Sequence, residues 1–373
     1  MKSVSHHVTS LDVFRGLTIT AMIVVNNPGN WSRVYPQLTH AHWHGWTFAD
    51  IVFPSFIFIA GVALPLSRLR RHARRPSRAM FWSVVRRTAL LLAIGVALNV
   101  AGALPELATV RVPGVLQRIG LAYAIAATVV LTCDVRGWAA SAVVLLGVHT
   151  ALLLGVPFDG HPAGTMTPEH SLAGVVDAAI FGSRHMLTAT SDPEGLLGVL
   201  STAATMLCGA MAGAWIRSTP DPVRRLTGLA AGGALALAIG LAWSSWLPLN
   251  KTLWTGSFAM ASAGVSALAF AACYLIVDAL EITAWATPFV WLGVNPLAIY
   301  CLSELARYAL DVGWIRMGSE RVGIKDAFFW QYFAFVTGDI GGALTSLLFA
   351  LGFAGVWIGV AGVLYKRSIR LKV

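Results

Sequence analysis

The sequence predicts an all-α fold, a polytopic transmembrane helical bundle of about ten membrane helices. Three observations predict it. Charged residues make up 12% of the 373 residues, against about 25% in soluble domains, which leaves too little polar surface for a soluble protein of this size. Apolar residues fall in long blocks nearly free of charge, such as Met206 to Ile216 and Leu226 to Trp246. Crossing a hydrocarbon core of ~30 Å takes about 20 such residues. The basic residues sit in short segments between these blocks, where the positive-inside rule places them. Backbone polar groups in lipid must be satisfied internally, so the blocks read as helices. A membrane barrel would instead need alternating strands of about ten residues, which the sequence does not offer.

Taken in order, the first helix is expected over Val13 to Asn27, followed by a loop rich in aromatics and histidines, Pro28 to Trp46. The first apolar block follows only a short polar segment and carries no A-x-A site, so it reads as a membrane helix rather than a cleaved signal. The second helix is expected over Phe48 to Leu66. The most basic stretch comes next, with Arg68, Arg70, Arg71, His72, Arg74, Arg75 and Arg78, then Arg86 and Arg87. That stretch is expected to be cytoplasmic, which sets both termini inside and the Pro28 to Trp46 loop outside.

Further helices are expected over Thr88 to Leu104, Gly114 to Cys133, Trp138 to Val156, Gly195 to Ile216 and Leu226 to Leu247. Leu253 to Asp278, Pro288 to Leu305 and Ile340 to Tyr365 complete the set, with Ala327 to Val336 as a short interfacial helix. Arg136, Arg217, Arg224, Arg225 and the C-terminal Lys366, Arg367, Arg370 and Lys372 agree with this orientation. The loop with Asp278 and Glu281 is acidic and gives it no support. Pro157 to Glu194 is the longest non-helical stretch and is expected to be external. With no soluble domain or internal repeat, residues 1–373 read as a single transmembrane domain.

The net charge of +10 comes from those loops, so no nucleic-acid partner is expected. Cys133, Cys208, Cys273 and Cys301 are far apart, with no CxxC, and read as small apolar packing rather than a disulfide framework or zinc site.

The densest polar cluster lies between the first two helices. Asn26 and Asn27 end the first helix, His40, His42 and His44 follow in the loop, and Asp50 opens the second helix. Histidine can accept and return a proton near neutral pH. An asparagine amide can donate to a developing oxyanion, and a carboxylate can orient an imidazole. Those are the parts of an acyl-transfer site. Interfacial anchoring of helix ends by His and Trp is an equally open reading, and no further Cys/His cluster completes a metal site. Asp50 also suits a helix N-terminus through the dipole. Arg118 and Asn295 are embedded polar groups, and Asn250 and Lys251 lie in an external turn on the same side as His40. Arg118 can pair with phosphate or carboxylate, or form an ordinary ion pair; Lys251 can snorkel to headgroups. No P-loop, GxGxxG or GxSxG is present. Residue pattern alone does not separate an enzyme from a transporter.

Longer motifs go further. Ser10-Leu-Asp-Val-Phe-Arg-Gly16, Val25-Asn26, His40-Ala41 and Trp43-His-Gly-Trp-Thr-Phe-Ala-Asp-Ile-Val-Phe-Pro54 resemble the heparan-alpha-glucosaminide N-acetyltransferase family and its bacterial relatives. So do Arg111-Val-Pro-Gly-Val-Leu-Gln-Arg118, Asp192-Pro-Glu-Gly195, Leu249-Asn-Lys-Thr-Leu-Trp254 and Gly293-Val-Asn-Pro296. The blocks occur in family order and span most of the chain.

The resemblance implies a transmembrane acetyltransferase that takes acetyl-CoA on the cytosolic side and delivers acetyl to an amino sugar on the far side. It implies His40, rather than His42 or His44, as the active histidine, and Asn26 as its companion, with a slightly longer spacing between them than in the animal enzyme. That enzyme has an additional N-terminal region, so processing into two chains is not carried over. Asp50 is expected to orient His40. Arg15, Arg86 and Arg87, at the basic face, are candidate CoA phosphate partners, with Arg118 and Asn295 as further cofactor candidates. Asn250 and Lys251 are candidate substrate residues. No metal is expected. The lipid bilayer is a partner, and a homodimer is implied. The expected location is a bacterial inner membrane with the histidine loop facing the periplasm. The alternative is an amino-sugar permease, which would need an alternating path for the whole sugar.

Overall fold

The computed structural model describes residues 8–67, 77–104, 106–313, 315–317, 320–329 and 342–371. Within them the chain is a series of helices: α1 (Thr9–Asn26), α2 (Phe48–Leu66), α3 (Arg78–Ala103), α4 (Val115–Thr132), α5 (Val135–Gly155) and α6 (Leu172–Phe181). There follow α7 (Val199–Ser218), α8 (Pro222–Trp243), α9 (Gly256–Tyr274), α10 (Thr287–Val294), α11 (Pro296–Asp311), α12 (Ile324–Phe328) and α13 (Ala343–Lys366). Among the described residues eight helices are long and apolar enough to cross a membrane, and nine if α10 and α11 form one bent span. The protein is an all-α polytopic membrane protein. Each of the ten expected helices has a helical counterpart. α1 is not among the eight: it is 18 residues long and carries Asp12 and Arg15 in its first two turns.

Helix starts follow local chemistry. Ser77 Oγ accepts from the Met80 amide and Asp134 Oδ1 from the Gly137 amide, capping α3 and α5. Asp221 Oδ1 accepts from the Val223 amide, with Pro222 in the first turn of α8. The Ser77 cap explains why α3 begins ten residues before the expected Thr88, which puts Arg86 and Arg87 on the helix itself.

Four expectations are corrected. Pro157 to Glu194 is not without helix: it holds α6, whose Ser171 cap accepts from the Gly174 amide and which ends at Gly182 with φ +81°. The ninth helix is broken at Asn295, with an 86° bend between α10 and α11. Two short antiparallel strands, β1 (Ile315–Met317) and β2 (Glu320–Val322), pair in a region expected to be loop. Of the interfacial helix only α12 is described, and it starts at Ile324; residues 330–341 lie outside the described residues. Arg68 to Arg75 and Lys372 also lie outside them.

The chain falls into two compact units. The first comprises residues 1–40, 47–53 and 272–372. Here α1 packs against α10 and α13, and Val13 is buried with Val277 and Ala286 where α1 meets the start of α10. Gly16 and Gly293 make the approach possible: a Cβ on either would stand 1.9 Å from the Phe289 carbonyl oxygen or 2.0 Å from that of Asp12. Asp278, in the π turn Leu275–Ala279, accepts from the Ser10 amide and hydroxyl at 3.2 and 2.5 Å, anchoring the start of α1. This gives the acidic loop a structural use.

The second unit comprises residues 41–46 and 54–271. In it α4 and α5 pack on α7. The α2 and α7 backbones touch through Gly61, Gly209 and Gly213, where a Cβ would lie 1.9 to 2.3 Å from the Met206, Phe58 and Val62 carbonyl oxygens. Small residues at such crossings let membrane helices gain dispersion where lipid offers no hydrophobic drive.

Candidate active site

In the first unit His40 is positioned by the start of α2. Thr47 precedes the helix and Asp50 lies in its first turn, the spacing of a capping box. Asp50 Oδ2 accepts from the Thr47 amide at 3.0 Å and faces the Thr47 hydroxyl at 3.1 Å. That hydroxyl also reaches the Thr39 carbonyl at 2.6 Å, tying the residue before His40 to the helix start. Asp50 Oδ1 lies 2.8 Å from His40 Nδ1. The carboxylate is 1% exposed and the imidazole 55% exposed. A buried acceptor facing Nδ1 favours the tautomer that carries its proton there, so the basic lone pair resides on Nε2. One Asp50 oxygen thus caps the start of α2 while the other faces the His40 imidazole.

Asn26 is the last residue of α1, and its Nδ2 donates to Glu304 Oε1 at 3.4 Å. Glu304, on α11, is buried and paired to Arg307 at 2.8 Å. Sequence reasoning missed Glu304, although an acid inside an apolar block is a signal to follow. Neighbouring Asn27 is buried and closes α1 by donating to the Ile23 carbonyl at 2.8 Å.

Arg15 and Asn295 serve the same unit. Arg15 Nη1 binds Asp12 Oδ1 at 2.7 Å and the Gly293 carbonyl at 3.1 Å, so two motif blocks some 280 residues apart meet here. Asn295 fills the break between α10 and α11, yet its amide serves the C-terminal segment. Nδ2 donates to the Ile369 carbonyl and Oδ1 accepts from the Leu371 amide, both at 2.9 Å.

In the second unit the other motif blocks converge. Arg111 donates through Nε and Nη2 to the two Asp192 oxygens at 2.8 and 2.5 Å, and also pairs with Glu194. Burial alone would lower the Arg111 pKa; the bonds and charges of Asp192 and Glu194 outweigh it and raise it. Arg118 is 1% exposed, donates through Nη2 to the Gly195 carbonyl at 2.8 Å and lies 5.1 Å over the Trp254 ring. Its Nε and Nη1 meet no acceptor among the described residues.

Trp254 has φ +51°, a strained conformation for a bulky side chain. It is fixed by its amide to Lys251, by Ser201 Oγ on its carbonyl at 2.6 Å and by the arginine above it. Asn250 is fully buried and shapes that turn, accepting from the Leu253 amide at 2.8 Å and facing His44 Nδ1 at 3.4 Å. Lys251 is half-buried in the same turn. Trp43 Nε1 donates to the Met166 carbonyl at 3.0 Å.

Two buried groups here were not singled out from the sequence. Asp177, on α6, is fully buried and accepts from the Leu196 amide at 2.8 Å through Oδ1; burial pushes its carboxyl up to about 6. His149, on α5, is fully buried. Of the basic-face candidates, Arg86 is exposed on α3, and the exposed Arg87 places its guanidinium 4.7 Å from the centre of the Tyr123 ring.

Residues 7–166 match the family model described as "Heparan-alpha-glucosaminide N-acetyltransferase, catalytic". The chain is similar to the heparan-alpha-glucosaminide N-acetyltransferases. The protein of that name from Mus musculus is 26% identical over 428 aligned positions that cover all of this chain. The one from Homo sapiens is 27% identical and covers 82% of it. The chain spans 61% and 54% of those relatives' own lengths. The resemblance read from the motifs is borne out. The matched segment holds Arg15, Asn26, His40, Asp50, Arg86, Arg87 and Arg118. The blocks at 192–195 and 249–254 lie beyond it but are tied to Arg111 and Arg118 by the contacts above.

Proposed function

We propose that this protein is a transmembrane acetyltransferase that moves an acetyl group from cytosolic acetyl-CoA to an amino sugar on the opposite, periplasmic side of a bacterial inner membrane. The observation that carries the reading is the His40–Asp50 pair, 2.8 Å apart at the start of a membrane helix. The names of the two relatives support it.

His40 is the general base. Nε2 removes a proton from the acceptor amine as its nitrogen attacks the thioester carbonyl carbon. The N–C bond forms, the C–S bond breaks, and the proton passes to the departing thiolate of CoA. Transfer through an acetylated His40 is the ping-pong variant of this scheme. Asn26, whose amide carries two N–H groups, steadies the carbonyl oxygen as charge develops. Asp50 is a positioning residue acting through His40. Among the CoA candidates, Arg86 and Arg87 are exposed and suited to the charged nucleotide. Arg15 and Asn295 already serve protein groups, and Arg118 is enclosed with two nitrogens still able to donate. Asn250 and Lys251 are proposed for the acceptor. A homodimer is part of the proposal.

The break at Asn295 favours a second reading, an amino-sugar permease, because transporters often bind substrate at discontinuous helices. The engagement of the Asn295 amide by the C-terminal backbone weighs against it.

Sealed vesicles with acetyl-labelled CoA on the cytosolic face and glucosamine on the other decide between the two. Labelled N-acetyl sugar on the far side, lost in His40→Ala, is the expected result. Uptake of unmodified sugar without transfer would establish the permease instead.

A further inference from the structure

We infer that α7, α8 and α9 hold one anionic phospholipid, with an acyl chain in a groove of the second unit and the phosphate at the α7–α8 turn. This inference does not rest on the acetyl-transfer reading. The groove has a volume of about 340 Å³ and is lined by apolar side chains and bare glycine backbone, among them Phe58, Trp215, Gly228, Gly232, Ile239 and Met260. Gly232 is central to it: a Cβ there would meet nothing within 4 Å.

Dimensions select the occupant. From Gly228 to Ile239 along α8 is about 16 Å at the helical rise, half the ~30 Å hydrocarbon core and so the depth of one leaflet. The groove runs along that length between α7, α8 and α9, and an extended hydrocarbon chain lies along it lengthwise. Gly228 and Gly232 form a small-xxx-small pair of the kind that brings helices together, but the Trp215 ring already covers Gly228 and closes its backbone to a second copy of the chain.

Charge selects the headgroup. Trp215 closes one end of the groove, its ring 2.3 Å from where a Gly228 Cβ would stand and its Nε1 3.3 Å from the Arg225 carbonyl. Arg217 lies in the last turn of α7 and Arg224 and Arg225 in the first turn of α8, with Asp221 capping α8 between them. Arg217 gives Nη1 to the Pro65 carbonyl and Arg225 gives Nε to that of Thr219, which holds both guanidinium groups beside the α7–α8 turn, each with further N–H groups. Arg224 is 80% exposed and 3.9 Å from Asp221. An anionic headgroup is the natural complement where an aromatic residue and clustered arginines meet the interface.

The test is native mass spectrometry of the purified full chain with phosphatidylglycerol, and phosphatidylcholine of the same acyl chains as control. The inference expects one phosphatidylglycerol retained after other lipids are stripped. Gly232→Leu should weaken that retention about tenfold, the effect of excluding about two buried methylenes. Arg224→Gln should reduce the preference over phosphatidylcholine while leaving an adduct. Equal retention of both lipids by the parent chain, or no effect of Gly232→Leu, overturns the inference. So does a dimer that Gly232→Leu dissociates, since the occupant would then be a second copy. Should Gly232→Leu fail to fold, phosphatidylglycerol with a photoreactive group at its acyl end is applied to the unsubstituted chain. Labelling at Phe58, within residues 208–239 or within 260–267 supports the site, and labelling elsewhere alone refutes it.

Discussion

Asp50→Asn separates the two duties of the carboxylate. The Thr47 backbone amide can only donate, so it holds the oxygen of the new side-chain amide where Oδ2 stood, 3.0 Å away. The amide NH₂ then faces His40 Nδ1, where Oδ1 now lies at 2.8 Å. Imidazole can accept at Nδ1 only with its proton on Nε2, so the basic lone pair turns from the reacting side to the helix. Asp50 is 1% exposed, leaving little room for another arrangement. Tautomer reversal of this kind costs about 10² to 10⁴ in kcat/KM, or roughly 3–5 kcal/mol of transition-state stabilisation. Stability should fall by no more than about 1 kcal/mol, since a neutral cap replaces a charged one at the helix dipole. The assay is acetyl transfer in sealed vesicles, with thermal unfolding as the folding control. The ¹⁵N shifts of labelled His40 report the tautomer directly. A folded Asp50→Asn protein with kcat/KM within about threefold of the parent would refute the tautomer argument, as would ¹⁵N shifts showing the proton still on Nδ1.

Other outcomes follow from the same geometry. Asp177 titrates at about 6 in the folded protein, above its unfolded value of 3.8. A raised carboxyl pKa stabilises the fold fully below the unfolded value, and that contribution is lost as pH rises through about 6, by up to roughly 3 kcal/mol. Asp177→Asn keeps an acceptor for the Leu196 amide, so it should flatten thermal stability between pH 4 and 7; an unchanged profile would count against it. Gly16→Ala places a methyl 1.9 Å from a backbone oxygen of α10 and should cost about 1–3 kcal/mol, read as a lower unfolding temperature. Arg111→Ala leaves the buried Asp192 and the partly buried Glu194 without their cation and should destabilise by about 3 kcal/mol, whereas a loss below about 1 kcal/mol would show the pair to be dispensable.

Composition and block length by themselves determined the all-α membrane class, because lipid permits few other ways to satisfy the backbone. The apolar blocks located a helix at each expected position, although α1 falls outside those long and apolar enough to cross a membrane, and an acid ten residues after a histidine marked the His40–Asp50 pair. The periodicity was silent on the break at Asn295, since a bend leaves apolar content unchanged. It was silent on α6 as well, whose ten residues are too few to span; the Ser171 and Gly182 caps were the available signal. The partners were beyond it altogether. Arg111 finds Asp192 across 81 positions, and Asn26 finds Glu304 across 278. Such pairs depend on which helix faces meet, and in a bilayer those faces are chosen by close packing and by the need to satisfy buried polar groups. Apolar periodicity is weakest where lipid and protein interior are equally oily, so only the tertiary structure decided where Arg118 and Asp177 point and which oxygen of Asp50 holds His40.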